Sequence, residues 1–252
     1  MSPADLGPEA RRNREHWNAT ADEYQARHGA FIGRDDPRWG VWQIPEEELR
    51  VLGDVAGKDV LELGCGAAQW SILLARRGAR PVGLDNSERQ LEHARAGMEA
   101  ARVDFPLVHA SAEAVPLPDA SFDVVFCDHG ALSWADPYRV VPEAARLLRR
   151  GGLLAFSTTS PIASLCFHPE TDVVEPMLHR DYFGLHRLEG DGSNYQLPYG
   201  EWIRVLGQAG LAVEALVEPQ PPADAASTYW EGSEVEWARR WPSEAIWKAR
   251  KP

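Results

Sequence analysis

The sequence predicts an α/β fold in which a mostly parallel sheet carries helices on both faces. Two observations lead there. From about residue 59 onward, short apolar runs alternate with helical patterns, and strands that are apolar throughout belong to a sheet covered on both sides. Within the first repeat, VLELGCGAAQW (60–70) passes from an apolar run ending in an acid to a glycine loop and then a helix, and Asp85 closes the next run. That is a βα unit whose loop wraps a nucleotide-like ligand.

The elements follow in order. Residues 9–29 form a helix, with Trp17, Ala21, Tyr24 and His28 on one face. A Trp-rich loop passes Trp39 and Trp42, and a short helix runs from Pro45 to about Gly53. Strands then fall at 59–63, 80–85, 106–110, 122–128 and 152–158, with helices at 68–77, 87–101 and 138–149. Ser87 and Gln90 make a capping box for the second of these helices, and Pro142 either starts or bends the third. Residues 159–197, rich in Pro, His and aromatics, break the rhythm, and an irregular insertion of that length is usually functional. A helix at 198–209, a strand at 211–217, a helix near 233–241 and a last strand, EAIWKAR, complete seven strands.

Length and composition narrow the function. A chain of 252 residues, 44% hydrophobic and 25% charged, suits one α/β domain. No apolar run approaches the ~18 residues that would span a bilayer, and the N-terminus has no apolar signal region, so a cytoplasmic protein is expected. Cys65, Cys127 and Cys166 are an odd count at unrelated spacings and are read as reduced thiols. A net charge of −12 argues against a nucleic-acid partner, since phosphate contacts need clustered cations. The pairs Arg76-Arg77 and Arg149-Arg150 are expected at helix C-termini, where cations complement the dipole. A small-molecule acceptor is favoured. Oligomeric state is not legible.

The loop itself separates two cofactor chemistries. Gly64 and Gly66 permit positive φ and close backbone approach. A dinucleotide fingerprint would need a third glycine at position 69, where this chain has Gln69. Glu62, two residues before Gly64, would oppose a pyrophosphate but would welcome a cationic amino-acid tail such as that of S-adenosylmethionine (SAM). Asp85 can accept the ribose hydroxyls of either cofactor.

The ordered run VLELGCGAAQW, Asp85, SAEAVPLPDASFDVVFCD and LLRRGGLLAFST resembles the successive motifs of class I SAM-dependent methyltransferases over about residues 58–158. LPYGEWIRVLGQAGLAVEALVEPQPP and EAIWKAR are similar to the reversed strand pair that ends that fold. The resemblance implies a Rossmann-like, seven-stranded sheet with its last strand antiparallel. It also implies one domain over 1–252: a helical lid (1–53), a cofactor core (54–158), a substrate cap (159–197) and a closing segment (198–252). By resemblance the loop from Gly64 through Cys65 and Gly66 to Gln69 holds the methionine end, with Glu62 near its ammonium. Asp85 holds the ribose, Asn86 flanks the adenine, and Ala112 and Glu113 lie along its edge. Gln90 is also expected among the cofactor-binding residues, and the backbone at Asp128 and Gly130 lines the sulfonium pocket. The chain departs from many relatives in having Ser111 where an aspartate accepts from the adenine amino group, and Gly66-Ala67-Ala68 in place of Gly-Thr-Gly.

The remaining candidates keep two readings each. His129 is the candidate general base toward an acceptor hydroxyl or amine, because its pKa can lie near operating pH; otherwise it orders its loop. Trp17 and Tyr24 match a W-x3-A-x2-Y pattern in lid helices of related small-molecule methyltransferases; otherwise they pack inward. Trp134, His168, His179, Tyr195 and Trp202 are candidate walls of an acceptor pocket or packing residues. No spacing suggests a catalytic metal. The expectation is methyl transfer from SAM, leaving S-adenosylhomocysteine, to a small aromatic or apolar acceptor. A nicotinamide oxidoreductase and a non-catalytic SAM-binding protein stand as rivals.

Overall fold

The computed structural model describes residues 7–188 and 192–252; residues 1–6 of the expected lid and 189–191 of the expected cap lie outside the described residues. Helix α1 (Pro8–Ile32) is followed by a small hairpin, β1 (Arg38–Trp39) and β2 (Ile44–Pro45), and by α2 (Glu46–Leu49). The alternating part runs β3 (Asp59–Leu63), α3 (Gln69–Arg76), β4 (Arg80–Asp85), α4 (Glu88–Ala101), β5 (Leu107–His109), β6 (Phe122–Asp128), α5 (Ala131–Trp134), α6 (Pro137–Leu147) and β7 (Leu148–Thr159). The insertion holds α7 (Pro161–Cys166) and the pair β8 (Arg187–Leu188) and β9 (Asn194–Tyr195). The chain closes with α8 (Tyr199–Gln208), β10 (Ala212–Val217), α9 (Ser233–Ala238) and β11 (Glu244–Arg250).

The main sheet has seven strands in the order β10-β11-β7-β6-β3-β4-β5. From β7 to β5 all neighbours are parallel, whereas β11 runs antiparallel to both β7 and β10. Successive residues along each strand feed opposite faces. Val60, Val124 and Phe126 join one buried cluster with Trp39 and Trp70, while Leu61, Val125 and Cys127 join the other with Trp202 and Trp247. Burial on both faces is why these strands read as unbroken apolar runs. Ser87 caps α4 by accepting from the Gln90 N–H at 3.1 Å, one half of the expected capping box; the Ser87 N–H goes to Asp85 (2.8 Å) in place of the Gln90 side chain.

Two expectations are corrected. The third helix begins at Pro137, capped by Asp136, so that Pro142 lies inside it, and β7 already starts at Leu148. Arg149 is therefore a strand residue and not a helix-end cation: its guanidinium bridges Asp59 (2.8 Å) and Asp123 (2.9 Å) of the neighbouring strands. Among the described residues, no helix is long and apolar enough to cross a membrane, and the three cysteines are buried and unpaired.

This topology sets the site. The chain leaves β3 toward β4 and β5, then returns to the other side of β3 as β6, so the sheet order reverses between β3 and β6. Ligands of open α/β sheets bind beyond the carboxyl ends of the strands at such a reversal. Helix α1 lies across that edge. It buries only Ala10, Asn13, Ala21 and His28 and is held largely by polar contacts. Arg14 Nε donates to the Asn86 carbonyl (2.9 Å), Asn18 accepts from Ser87 Oγ (2.7 Å), and His28 Nδ1 meets Thr228 Oγ1 (2.7 Å).

Candidate active site

Where β3 and β6 end, two glycines let the main chains touch. Gly64 has φ 70°, and a Cβ there would lie 2.5 Å from the Ala131 nitrogen. A Cβ on Gly130 would lie 2.6 Å from the Leu63 carbonyl oxygen. Only glycine fits either position. Beyond this junction a cavity of about 370 Å³ opens between the sheet edge and α1.

Four carboxylates face this cavity, Glu62, Asp85, Asp128 and Glu244, and no Lys or Arg is among the described residues that line it. Glu62 is buried and accepts from the Ser71 N–H (3.0 Å) and hydroxyl (2.5 Å). Burial nevertheless pushes its carboxyl up to about 8, with Asp128 and Asp85 adding repulsion. Asp85 accepts from the Gly66 and Ser87 N–H groups, each at 2.8 Å, yet burial raises it as well. Asp128 is raised by burial despite bonds from the Ser157 hydroxyl, the Gly40 N–H (3.0 Å) and Trp70 Nε1 (3.2 Å). Such a wall favours a cationic ligand and opposes a phosphate.

His129 follows β6 in the left-handed region, φ 48°, with its N–H held by Ser157 Oγ at 3.0 Å. Its Nε2 meets Glu244 Oε1 at 2.5 Å. Burial disfavours the imidazolium, but Glu244 and then Asp128 outweigh it, and the pKa is raised. Glu244 also accepts from the Val41 N–H (2.7 Å), and its buried Oε2 has no hydrogen-bond partner. Gly40 is needed for this clamp, since a Cβ there would fall 2.2 Å from Glu244 Oε1.

Residues 61–156, from β3 to β7, match the family described as a methyltransferase domain. That stretch is a methyltransferase domain of the class I SAM-dependent type. A demethylmenaquinone methyltransferase of Lactococcus lactis is 28% identical over 153 residues, 59% of either chain. One from Listeria welshimeri is 34% identical over 119 residues, 46% of this chain and 50% of that one. The chain thus spans about half the length of the curated relatives it matches. An S-adenosylmethionine-dependent methyltransferase from Mesorhizobium loti shares the fold with a TM-score of 0.65 at 26% identity, covering 81% of this chain and 96% of that one. Geranyl diphosphate C-methyltransferase from Streptomyces coelicolor is similar in fold alone, with a TM-score of 0.70 at 16% identity over 99% and 100% of the two chains.

The residues fit SAM, the cofactor of this methyltransferase type: a buried acid behind the glycine junction, a second acid at the end of β4, and a cavity wall without Lys or Arg among the described residues. The cavity wall brings together Trp17, Tyr24, Glu62, Gly64, Cys65, Gly66, Gln69, Asp85, Asn86, Gln90, Ser111, Ala112, Asp128, His129, Gly130 and Trp134. Five expected residues lie elsewhere. Glu113 turns away to Arg139 (2.7 Å) and the Asp136 N–H (3.2 Å). Trp202 is fully buried against Phe156 and bonds Gln196 (2.7 Å), a core residue of α8. Tyr195 packs on His186, while its neighbour Asn194 reaches the cavity. His168 and His179 pair with Glu175 outside the cavity wall.

The structure adds residues that sequence reasoning missed: Gln25, Gly40, Val41, Tyr229, Trp230 and Glu244. Gln25 joins lid to loop by accepting from Gln69 (2.9 Å) and donating to Gln90 (3.0 Å). Tyr229 bonds the Tyr24 hydroxyl (2.7 Å) and stacks on His28 at 4.2 Å. Glu244 carried one local signal, an acid opening an apolar strand, but nothing in the sequence joins it to His129.

Proposed function

We propose that this chain transfers the methyl group of SAM to a small, uncharged or cationic acceptor with aromatic or apolar character, in the cytoplasm. In this reading Glu62 and the 64–69 loop hold the amino-acid end, Asp85 the ribose, and Asn86, Ser111 and Ala112 the adenine. Tyr24, on the lid, closes over the cofactor. When bound, SAM supplies an electrophilic methyl group. The protein's share is to align the acceptor, exclude water and take a proton where the acceptor has one to lose. His129, positioned by Glu244, accepts that proton on the nitrogen not facing the carboxylate.

The observation that carries this reading is the composition of the cavity wall. It runs from the glycine loop past His129 to Trp134, Thr159, Asn194, Trp230 and Ser243, beyond what the loop alone requires. An open space of this kind favours an enzyme over a cofactor-binding partner protein. The aromatic side chains Trp17, Trp134, Tyr229 and Trp230 suit an apolar or cationic acceptor. A diphosphate would meet carboxylates and no guanidinium or ammonium, which sets this cavity apart from what a geranyl diphosphate enzyme must accommodate.

Calorimetric titration with S-adenosylhomocysteine and with NADH tests the cofactor. Saturable binding of the first and none of the second is expected, and the reverse would overturn the reading. Radiolabelled methyl transfer to panels of neutral, amine and anionic acceptors tests the acceptor class. Turnover confined to anionic acceptors would refute it, and no turnover on any panel would favour the binding-protein rival.

A further inference from the structure

We propose that His168, Glu175 and His179 form a site for one borderline divalent cation, zinc or a close relative, which fastens the insertion that follows α7. Sequence spacing suggests no metal here, because the ligand residues become neighbours only when the segment folds back on itself. The Phe167–Val174 bridge is antiparallel. The His168 N–H donates to the Val173 carbonyl (2.9 Å), the Glu175 N–H to Cys166 (3.1 Å) and the His179 N–H to Leu165 (2.8 Å). Each of the three residues is thus pinned by its own main chain, and two of them are pinned directly to α7.

The side chains then converge. One ligand atom from each residue lies within 4.8 Å of the others, and the two imidazole rings are 4.5 Å apart between centroids. His179 Nε2 is 3.0 Å, and His168 Nε2 3.9 Å, from the same carboxylate oxygen, Glu175 Oε1. Ligand atoms about 2.0–2.1 Å from a tetrahedral zinc ion stand roughly 3.3 Å from one another, between those two separations. His179 Nε2 is also buried with no hydrogen-bond partner, because its approach to Glu175 has the distance of a hydrogen bond without the angle. A polar atom left in that state is costly, and a cation in the middle of the trio would satisfy it.

The donor set selects the cation class. Two imidazole nitrogens and one carboxylate oxygen suit zinc-type ions, whereas magnesium and calcium prefer oxygen ligands. A fourth position is left to water. Two local features oppose binding and must yield. The Glu170 N–H meets His168 Nδ1 at 3.2 Å, and a metal on Nε2 would place the ring proton on Nδ1 and release that exposed contact. Arg180 brings a positive charge nearby, though its guanidinium is held by the Ser164 (2.7 Å) and Phe167 (2.9 Å) carbonyls and lies over the Phe167 ring.

None of the three residues lines the catalytic cavity, so the ion's role is architectural. Cys166 and Val174, beside the ligands, belong to the apolar cluster that includes Trp42 and Trp237, and a bound ion would lock the loop onto that cluster.

The test uses tag-free, chelator-stripped full-length protein. Cobalt(II) titration should give one equivalent with the visible ligand-field bands of a four-coordinate site, displaced by zinc, and zinc should raise the melting temperature. His168→Ala, His179→Ala and Glu175→Gln should each weaken binding at least tenfold, while His93→Ala, at an unrelated surface His–Asp pair, should not. Circular dichroism separates ligand loss from misfolding, and His168→Gln offers a milder variant. Absence of a one-to-one complex, or binding equal in wild type and in His168→Ala and His179→Ala, would overturn the proposal. Because cobalt and melting are read without SAM, a failure of the methyltransferase reading would leave this result unaffected.

Discussion

Replacing Gly64 with alanine probes the junction between β3 and β6. Its φ of 70° places an alanine in the left-handed region, at about 1–2 kcal/mol. The new Cβ would also sit 2.5 Å from the Ala131 nitrogen and 3.1 Å from the Gly130 carbonyl carbon. Both are main-chain atoms, so relief requires the two strand ends to part, and overpacking of that kind costs about 1–3 kcal/mol. Together the loss is about 2–5 kcal/mol, which for a chain of this size lowers the melting temperature by about 4–20 °C. Gly66→Ala is the control. Its φ is 53°, and its Cβ would meet nothing closer than Gln90 Oε1 at 3.7 Å, so only the backbone part, about 1–2 kcal/mol, applies. Ala68 already occupies the left-handed region in the same loop, at φ 56°. Urea unfolding of both variants, with S-adenosylhomocysteine titration, measures the difference. Equal losses for the two variants, or wild-type affinity in Gly64→Ala, would refute the close-approach reasoning.

Three further outcomes are expected. The raised pKa of His129 means that turnover climbs with pH as the imidazole loses its proton; Glu244→Gln, leaving burial opposed by Asp128 without the Glu244 charge, should move that acid limb to lower pH and reduce the plateau, and superimposable profiles would remove the dyad. Asp85→Ala should weaken S-adenosylhomocysteine binding roughly tenfold to a hundredfold, the worth of one hydrogen bond to a charged group at about 1.5–3 kcal/mol, with unchanged calorimetric affinity as the contrary result. Glu62 binds its proton more tightly folded than unfolded, so its share of ligand-free stability is complete below 4.5 and is lost as pH rises to about 8. Glu62→Gln should flatten that decline in denaturation curves collected across the range, and a decline of equal depth would contradict the burial argument.

The strands at 59–63, 80–85 and 122–128 were legible because each is apolar on both faces and bounded by polar or glycine-rich turns. The glycine-loop end of the cavity was legible for a related reason: its lining residues come from the contiguous stretches that join strand to helix. Glu244 was not, since it reaches His129 across 115 residues of sequence and arrives from β11, two strands away from β6 in the sheet. Trp202 shows where aromatic abundance misleads. It lies with Val205 and Leu206 on the buried stripe of α8, a periodicity that already favoured packing over a pocket wall. Glu113 failed because its ion partner, Arg139, sits on α6, beyond any local pattern. Of the two roles left open for Pro142, starting the third helix fails because Asp136-Pro137 is the stronger start signal, one residue before the expected 138.

The sparse anchoring of α1 has a kinetic corollary. A ligand seated beneath it should leave more slowly while the glutamine relay through Gln25 and the Tyr24–Tyr229 contact hold. In the proposed reading the acceptor lies against those same aromatic groups, so loading should be ordered, nucleoside first and acceptor second. Departure of the spent nucleoside would then be the slow event of each cycle.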